Sequence, residues 1–171
     1  MPESQRDKQC ILFDWGNTLM RDFPGFSGPM YTWPHVEAIP YVAEVLAQLR
    51  PHWLLALATN AAASDENDIA KALQRAGLDI FIDKIFCQRR IGHKKPAPEY
   101  YDYVLHDLGL RREKVVMVGN DYTNDIAGAN RSGLRAIWLI EDNIEQPPGD
   151  GYRIIHDFRE LPTMLEIFMK Q

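Results

Sequence analysis

Cysteine is scarce in this sequence of 171 residues: there are two, Cys10 and Cys87, each within a short apolar run. With no secretory-type segment ahead of them, they read as buried, reduced thiols rather than as a disulfide framework. Long apolar runs are missing too, none approaching the ~18 unbroken residues of a membrane span. The opening MPESQRDKQ is polar, so a cytoplasmic protein with no membrane partner is expected. Nor is there an excess of positive charge. Lys and Arg number 19 against 24 Asp and Glu, a net charge of −5, and the basic residues are scattered apart from pairs such as Arg89-Arg90 and Arg111-Arg112. Nucleic acid, whose backbone calls for Lys and Arg gathered on one face, is therefore not an expected partner. Internal repeats and low-complexity tracts are absent, and the one linker-like stretch is Glu141 to Gly151.

What is present suits one domain spanning 1–171, because 46% apolar and 25% charged residues are the proportions of an ordinary globule with one sizeable core. Short apolar runs alternate with longer amphipathic ones, the pattern of parallel strands joined by helices. Strands are expected at Cys10 to Trp15, Trp53 to Ala58, Lys84 to Cys87, Val115 to Val118 and Arg135 to Ile140, with a sixth at Tyr152 to His156. Helices are expected over Val36 to Arg50, stopped by Pro51; from an N-cap at Ser64 to Gly77; from Pro98 to Leu108, closed by Gly109; from Asn124 to Ser132, with Gly133 beyond; and from Glu160 to Met169. Between the first strand and the first helix lies a loop, Met20 to Pro34, rich in Pro, Gly and aromatic residues.

Parallel sheets covered by helices gather their reactive groups just beyond the C-terminal ends of the strands. Polar residues recur at those ends. Strand one leads into Asp14, strand two into Thr59-Asn60, strand three is followed by Lys94-Lys95-Pro96, and strand four by Gly119-Asn120-Asp121 with Asp125 four residues on. Together they offer a nucleophile, a hydroxyl, a cation and further carboxylates.

These residues carry a family resemblance. FDWGNTL, LALATN, GHKKPAPEYY and VVMVGNDYTNDIAGANRSG, in that order, resemble the four motifs of the haloacid dehalogenase (HAD) superfamily of phosphatases. Each piece alone is a weak signal, but the ordered set in strand contexts is specific. The resemblance implies a three-layer α/β fold, a Rossmann-like parallel sheet with helices on both faces. It also implies hydrolysis of a phosphate ester or anhydride through a transient aspartyl phosphate on Asp14. Thr59 would bond a phosphoryl oxygen, helped by backbone N–H groups of the Gly16-Asn17 turn and of Asn60. Lys95, placed directly before proline as in the family, would neutralise charge between Asp14 and the phosphoryl group. The implied cofactor is Mg²⁺, which takes one or two carboxylates and keeps several waters; Asp14, the Gly16 carbonyl and Asp121 are the direct ligands expected, with Asp125 acting through water or Lys95. In some relatives the first acidic ligand directly follows the motif-four glycine, which makes Asn120 the aligned position, with a carbonyl oxygen to offer.

Gly16 departs from the family, most of whose phosphatases carry Asp there to protonate the leaving oxygen and then activate water. General acid–base catalysis of this kind is worth roughly 10²–10⁴-fold. Either the substrate has a good leaving group, or another group supplies the proton, or the chain binds phosphate or a partner with weak or lost turnover. His35, soon after the loop, is a candidate replacement. Larger members also insert a cap domain, whereas here the gaps leave room only for a short flap, 20–34. The site is expected to be open, acting on a phosphorylated small molecule or macromolecule, or closing by homo-oligomerisation. Phe23, Phe26, Tyr31 and Trp33 either cover the substrate or pack on the core or a subunit interface.

Overall fold

The computed structural model describes residues 8–141 and 144–170. The N-terminal segment read as polar, apart from Lys8 and Gln9, and positions 142–143 of the linker-like stretch lie outside these residues. Six strands form one parallel sheet: β1 (Gln9–Phe13), β2 (Trp53–Thr59), β3 (Lys84–Cys87), β4 (Val115–Gly119), β5 (Arg135–Leu139) and β6 (Tyr152–Ile155), in the order β3-β2-β1-β4-β5-β6. The chain winds outward from β1 to one edge, then crosses back to β4 on the other side of β1. Between β1 and β4 the winding reverses, and such a switch leaves a crevice at the C-terminal ends of the two strands.

The central strands are apolar without interruption because both of their faces are covered. Ile11, Phe13, Leu55, Leu57, Val116 and Val118 point to one face, where they pack with α1 (Val42–Leu49), α2 (Glu66–Arg75) and α6 (Leu161–Phe168). Cys10, Leu12, Ala56, Ala58, Val115 and Met117 point to the other, against Tyr100, Tyr101 and Val104 of α4 (Pro98–Leu108). A one-turn helix, α3 (Gln88–Ile91), follows β3, and α5 (Gly128–Arg131) continues a π-helical turn over Tyr122–Ala127. Both cysteines are buried and free, and burial holds the Cys10 thiol well above its ordinary pKa. Among the described residues no inserted cap domain is seen, and no helix is long and apolar enough to cross a membrane.

Helices α1 and α2 start elsewhere than the sequence leads one to expect. α1 begins at Val42 rather than Val36 because Ile39 precedes Pro40, which disfavours helical backbone. Ala38 instead pairs with Met20 as an isolated bridge, and Tyr41 enters the helix with a left-handed φ of 67°. The N-cap of α2 is Asp65 rather than Ser64; its side chain accepts from the Asp68 N–H while Asp68 reciprocates, satisfying two otherwise unpaired helix-end donors. The loop from Met20 packs onto the core through Met30 and Trp33. Its aromatic rings pack on one another, Phe23 tilted against Phe26 at 5.4 Å and Phe26 edge-on to Trp33 at 5.5 Å between centroids.

Candidate active site

Register places the polar strand ends side by side. Phe13 lies level with Leu57 of β2 and Val118 of β4, so Asp14, one residue on, and Thr59 and Asn120, two residues on along their strands, emerge at one end of the sheet. Asp14 is still tied to the sheet by its own N–H, which donates to the Val118 carbonyl at 2.9 Å. Its side chain is directed to a cavity of about 410 Å³ also lined by Gly16, Asp22, Trp33, Thr59 and Lys95.

At the base of this cavity Lys95 joins two carboxylates. Its Nζ donates to Asp14 Oδ1 at 2.9 Å and to Asp125 Oδ1 at 2.6 Å, with the lysine side chain only 1% exposed. A buried ammonium needs such partners, since an unpaired charge there would cost several kcal/mol. Burial pulls the lysine toward neutrality, but Asp14 and Asp125 together outweigh it and hold the ammonium above the usual lysine range. Asp125 moves the opposite way for a carboxylate: burial pushes it up to about 6 against the pull of Lys95, one ammonium being shared between two acids.

The loop that delivers Lys95 is clamped from β2. Asn60 Nδ2 donates to the Lys95 carbonyl and the Lys95 N–H donates to Asn60 Oδ1, both at 2.8 Å. On the other flank the backbone of Gly128 approaches Pro96 so closely that a Cβ there would sit 2.7 Å from the proline. Gly119 serves Asp125 in the same way. A Cβ on Gly119 would fall 2.2–2.6 Å from the Asp125 side chain, and Asp125 Oδ2 accepts from the Asp121 N–H at 3.0 Å. Gly119→Ala is accordingly expected to displace Asp125 and break its bond to Lys95. Overpacking of this kind costs about 1–3 kcal/mol, to be read from a urea transition, and any activity of the site should fall with it.

The expected helix from Asn124 starts earlier, at Tyr122, as a π-helical turn. Asp121 is its N-cap, Oδ1 accepting from the Asn124 N–H at 2.8 Å and Oδ2 from the Asn124 side chain at 3.0 Å. The carboxylate read as a direct metal ligand is therefore engaged in capping. Asn120 takes the inward place. With its amide nitrogen turned toward the acceptors, it donates to Asp14 Oδ2 at 3.1 Å and to the Gly16 carbonyl at 3.2 Å. Its own carbonyl accepts from Trp138 Nε1 at 3.0 Å, fixing the backbone.

Asn17 lines the cavity and also builds the turn: its N–H donates to the Met20 carbonyl at 2.6 Å and its side-chain oxygen accepts from the Asp22 N–H at 3.0 Å, in a left-handed conformation (φ 57°). Thr59 is buried, with Oγ1 accepting from the Ala61 N–H at 3.0 Å, and lines the cavity. Thr18, to which the sequence reading gave no role, is buried with its hydroxyl 3.4 Å from Asp14 Oδ2. His35 is on the outside of the loop, bonded to Glu37 at 3.2 Å and packed at a tilt against Phe23, and does not line the cavity.

Comparison with known proteins bears directly on this arrangement. The profile of the haloacid dehalogenase-like hydrolase family matches residues 26–139, more than half of the chain, and that span holds Thr59, Lys95, Asn120 and Asp125. The chain belongs to this family. Among curated HAD relatives, the pyrimidine 5′-nucleotidase YjjG of Escherichia coli is 36% identical over 78 residues, 45% of this chain and 35% of the relative. The ribulose-1,5-bisphosphate 5-phosphatase of Halopiger xanaduensis is 34% identical over 100 residues, 58% of this chain and 41% of the relative. The match thus spans less than half the length of these two relatives. An uncharacterized protein from Listeria monocytogenes serotype 4b superposes with a TM-score of 0.83 at 27% identity, covering 95% of this chain and 99% of that one.

Against the HAD pattern, the site holds neutral groups at two places where acids are common, Gly16 and Asn120. Among the described residues no three Asp, Glu, His or Cys side chains meet as a metal cage. Asp14 Oδ2, the Gly16 carbonyl and the end of Asn120 nevertheless enclose one small locus, with separations of 3.1 and 3.2 Å. Neighbouring oxygens around octahedral Mg²⁺ stand about 3.0 Å apart, given Mg–O distances of ~2.1 Å. The set fits a hard cation once the Asn120 amide turns its oxygen inward, with one protein charge in place of two.

Proposed function

We propose that this chain is a Mg²⁺-dependent HAD-type phosphatase that transfers the phosphoryl group of a phosphate ester or anhydride to Asp14 and then to water. The observation that carries the reading is Asp14 at the β1–β4 switch point with the buried Lys95 ammonium 2.9 Å from it. Asp14 Oδ2 faces the cation locus, which leaves Oδ1 to attack phosphorus. Lys95 neutralises charge on the phosphoryl oxygens as the bond forms, and the Thr59 hydroxyl donates to one of them. Asp125 holds Lys95 in place from the far side. Mg²⁺, held by Asp14, the Gly16 carbonyl and Asn120, supplies further charge neutralisation when bound. The whole chain acts as one unit with 20–34 as a short flap beside the site. A mouth without a cap admits either a small phosphate ester or a phosphorylated macromolecule, and a second copy of the chain would close it.

The test is phosphate release from an activated aryl phosphate, required to depend on Mg²⁺ and to stop with chelator. Silence across a broad panel of phosphorylated metabolites and phosphopeptides would refute the reading. A second reading, phosphate or partner binding with weak turnover, draws on the neutral Asn120 at the cation locus. Asn120→Asp separates the two. A second carboxylate should lower the Mg²⁺ concentration for half-maximal activity by roughly tenfold or more, the scale of losing or gaining a supporting group at a metal site. If the variant binds Mg²⁺ more tightly, by calorimetry, yet neither it nor the wild type releases phosphate, the binding reading stands.

A further inference from the structure

The site described above has a nucleophile, a cation and a hydroxyl, but its own position 16 has no group for moving a proton. The space that a side chain there would enter is bordered by another carboxylate. A Cβ built on Gly16 would be 3.7 Å from Asp22 Cβ, 3.9 Å from Asp22 Oδ2 and 4.0 Å from Asp22 Cγ. The carboxylate of Asp22, carried on the loop, thus stands against the volume in which a carboxylate at 16 would lie, and it lines the same cavity as Asp14, Thr59 and Lys95.

Asp22 is held there by its neighbours. Its N–H donates to Asn17 Oδ1 at 3.0 Å, and Asn17 is itself locked by its N–H to the Met20 carbonyl. Met20 bridges Gly16 on one side and Ala38 on the other. Arg21 is tied to Glu37 twice, from its N–H at 2.8 Å and from Nε at 3.1 Å. Backbone leading into Asp22 is therefore anchored, while among the described residues no hydrogen bond or ion pair engages its carboxylate. His35, the alternative from the sequence, is turned outward to Glu37, and Asp121 is occupied as a helix cap.

We propose that Asp22 is the general acid and base of this site, performing from the loop the task that position 16 performs in most HAD phosphatases. The inference rests on the phosphatase reading above. In the first step Asp14 Oδ1 forms a bond to phosphorus, the bond from phosphorus to the leaving oxygen breaks, and that oxygen takes the proton of the Asp22 carboxylic acid and departs as an alcohol. In the second step the Asp22 carboxylate accepts a proton from water as the water oxygen bonds to phosphorus. The bond from phosphorus to Asp14 breaks, inorganic phosphate leaves, and both aspartates return to their starting forms. Asn17 is a positioning residue for Asp22.

The experiment compares an alkyl phosphate with 4-nitrophenyl phosphate, whose leaving group needs no proton, using wild type, Asp22→Asn, Gly16→Asp and the double variant, with Mg²⁺. Asp22→Asn should lower alkyl phosphate turnover by roughly 10²-fold or more while Asp14 is still phosphorylated by the nitrophenyl ester, and the aspartyl phosphate should build up to a level visible by mass spectrometry. The Gly16→Asp change should restore alkyl turnover in the Asp22→Asn background. Equal losses on both substrates without accumulation of the intermediate, or no loss, would overturn the assignment. A wild type that neither releases phosphate nor becomes phosphorylated on Asp14 would remove the phosphatase reading itself and the proton-transfer role with it.

Discussion

Lys95→Met should abolish phosphate release and lower stability by about 3–5 kcal/mol at neutral pH, the cost of removing one partner of a buried charge network. The lysine side chain is 1% exposed, as is that of Asp125, so water cannot replace the lost ammonium. Two carboxylates would then face each other with no counter-charge. The deficit should depend on pH in a definite direction. In the wild type the folded-state value of Asp125 is about 6, above its ordinary 3.8. The folded protein therefore holds a proton that the unfolded chain has released, and the contribution of Asp125 to stability falls as pH rises through that window. Without Lys95 the same uptake shifts to higher pH, so the deficit of the variant is largest above neutrality and shrinks toward pH 5. Urea transitions of both proteins at the two pH values check this; an equal deficit at each would mean that lost packing, not charge, is the cause. Lys95→Arg should not rescue, because a planar guanidinium is larger than the pocket that fits an ammonium between Asp14 and Asp125.

Asp14→Asn is expected to eliminate turnover, with a loss of more than roughly 10³-fold, since removing a nucleophile forfeits the whole covalent route and not one contact. The change is isosteric, and Lys95 keeps its bond to Asp125, so the fold should survive with a modest shift in its urea midpoint. Two measurements therefore separate. Phosphate release disappears and no phosphorylated protein is detected, while the unfolding transition stays cooperative. Retention of measurable Mg²⁺-dependent release by pure Asp14→Asn protein would place the nucleophile elsewhere and sink the covalent mechanism.

Both predictions concern residues visible as strand-end punctuation in the sequence. Asp14, Thr59, Lys95 and Asp125 stand out because a parallel sheet exposes its reactive groups at one end, and the apolar runs before them mark where each strand stops. The strand bounds agree with the sequence reading to within about two residues, as does α4 between Pro98 and Gly109, because periodicity and caps are local signals. The choice between Asn120 and Asp121 was not legible in that way. A π-helical turn at Tyr122–Ala127, where an α-helix from Asn124 was expected, has Asp121 as its cap and leaves Asn120 as the inward neighbour of Asp14. Nor does the sequence show that the N–H and side chain of Asn17 are engaged by Met20 and Asp22.

The sequence by itself determined the sheet-and-helix plan, the order of the polar strand ends, the family resemblance and the lack of an acid at position 16, because each of these resides in local pattern and chain order. Only the tertiary structure decided what stands in the space beside Gly16, which neighbour of Gly119 turns inward, and that Asn60 clamps the Lys95 loop. Those outcomes depend on backbone torsions and on contacts between segments distant in sequence, such as residues 60 and 95 or 14 and 120. Composition and periodicity carry no record of them, since the energy that selects them exists only once the sheet has brought the segments together.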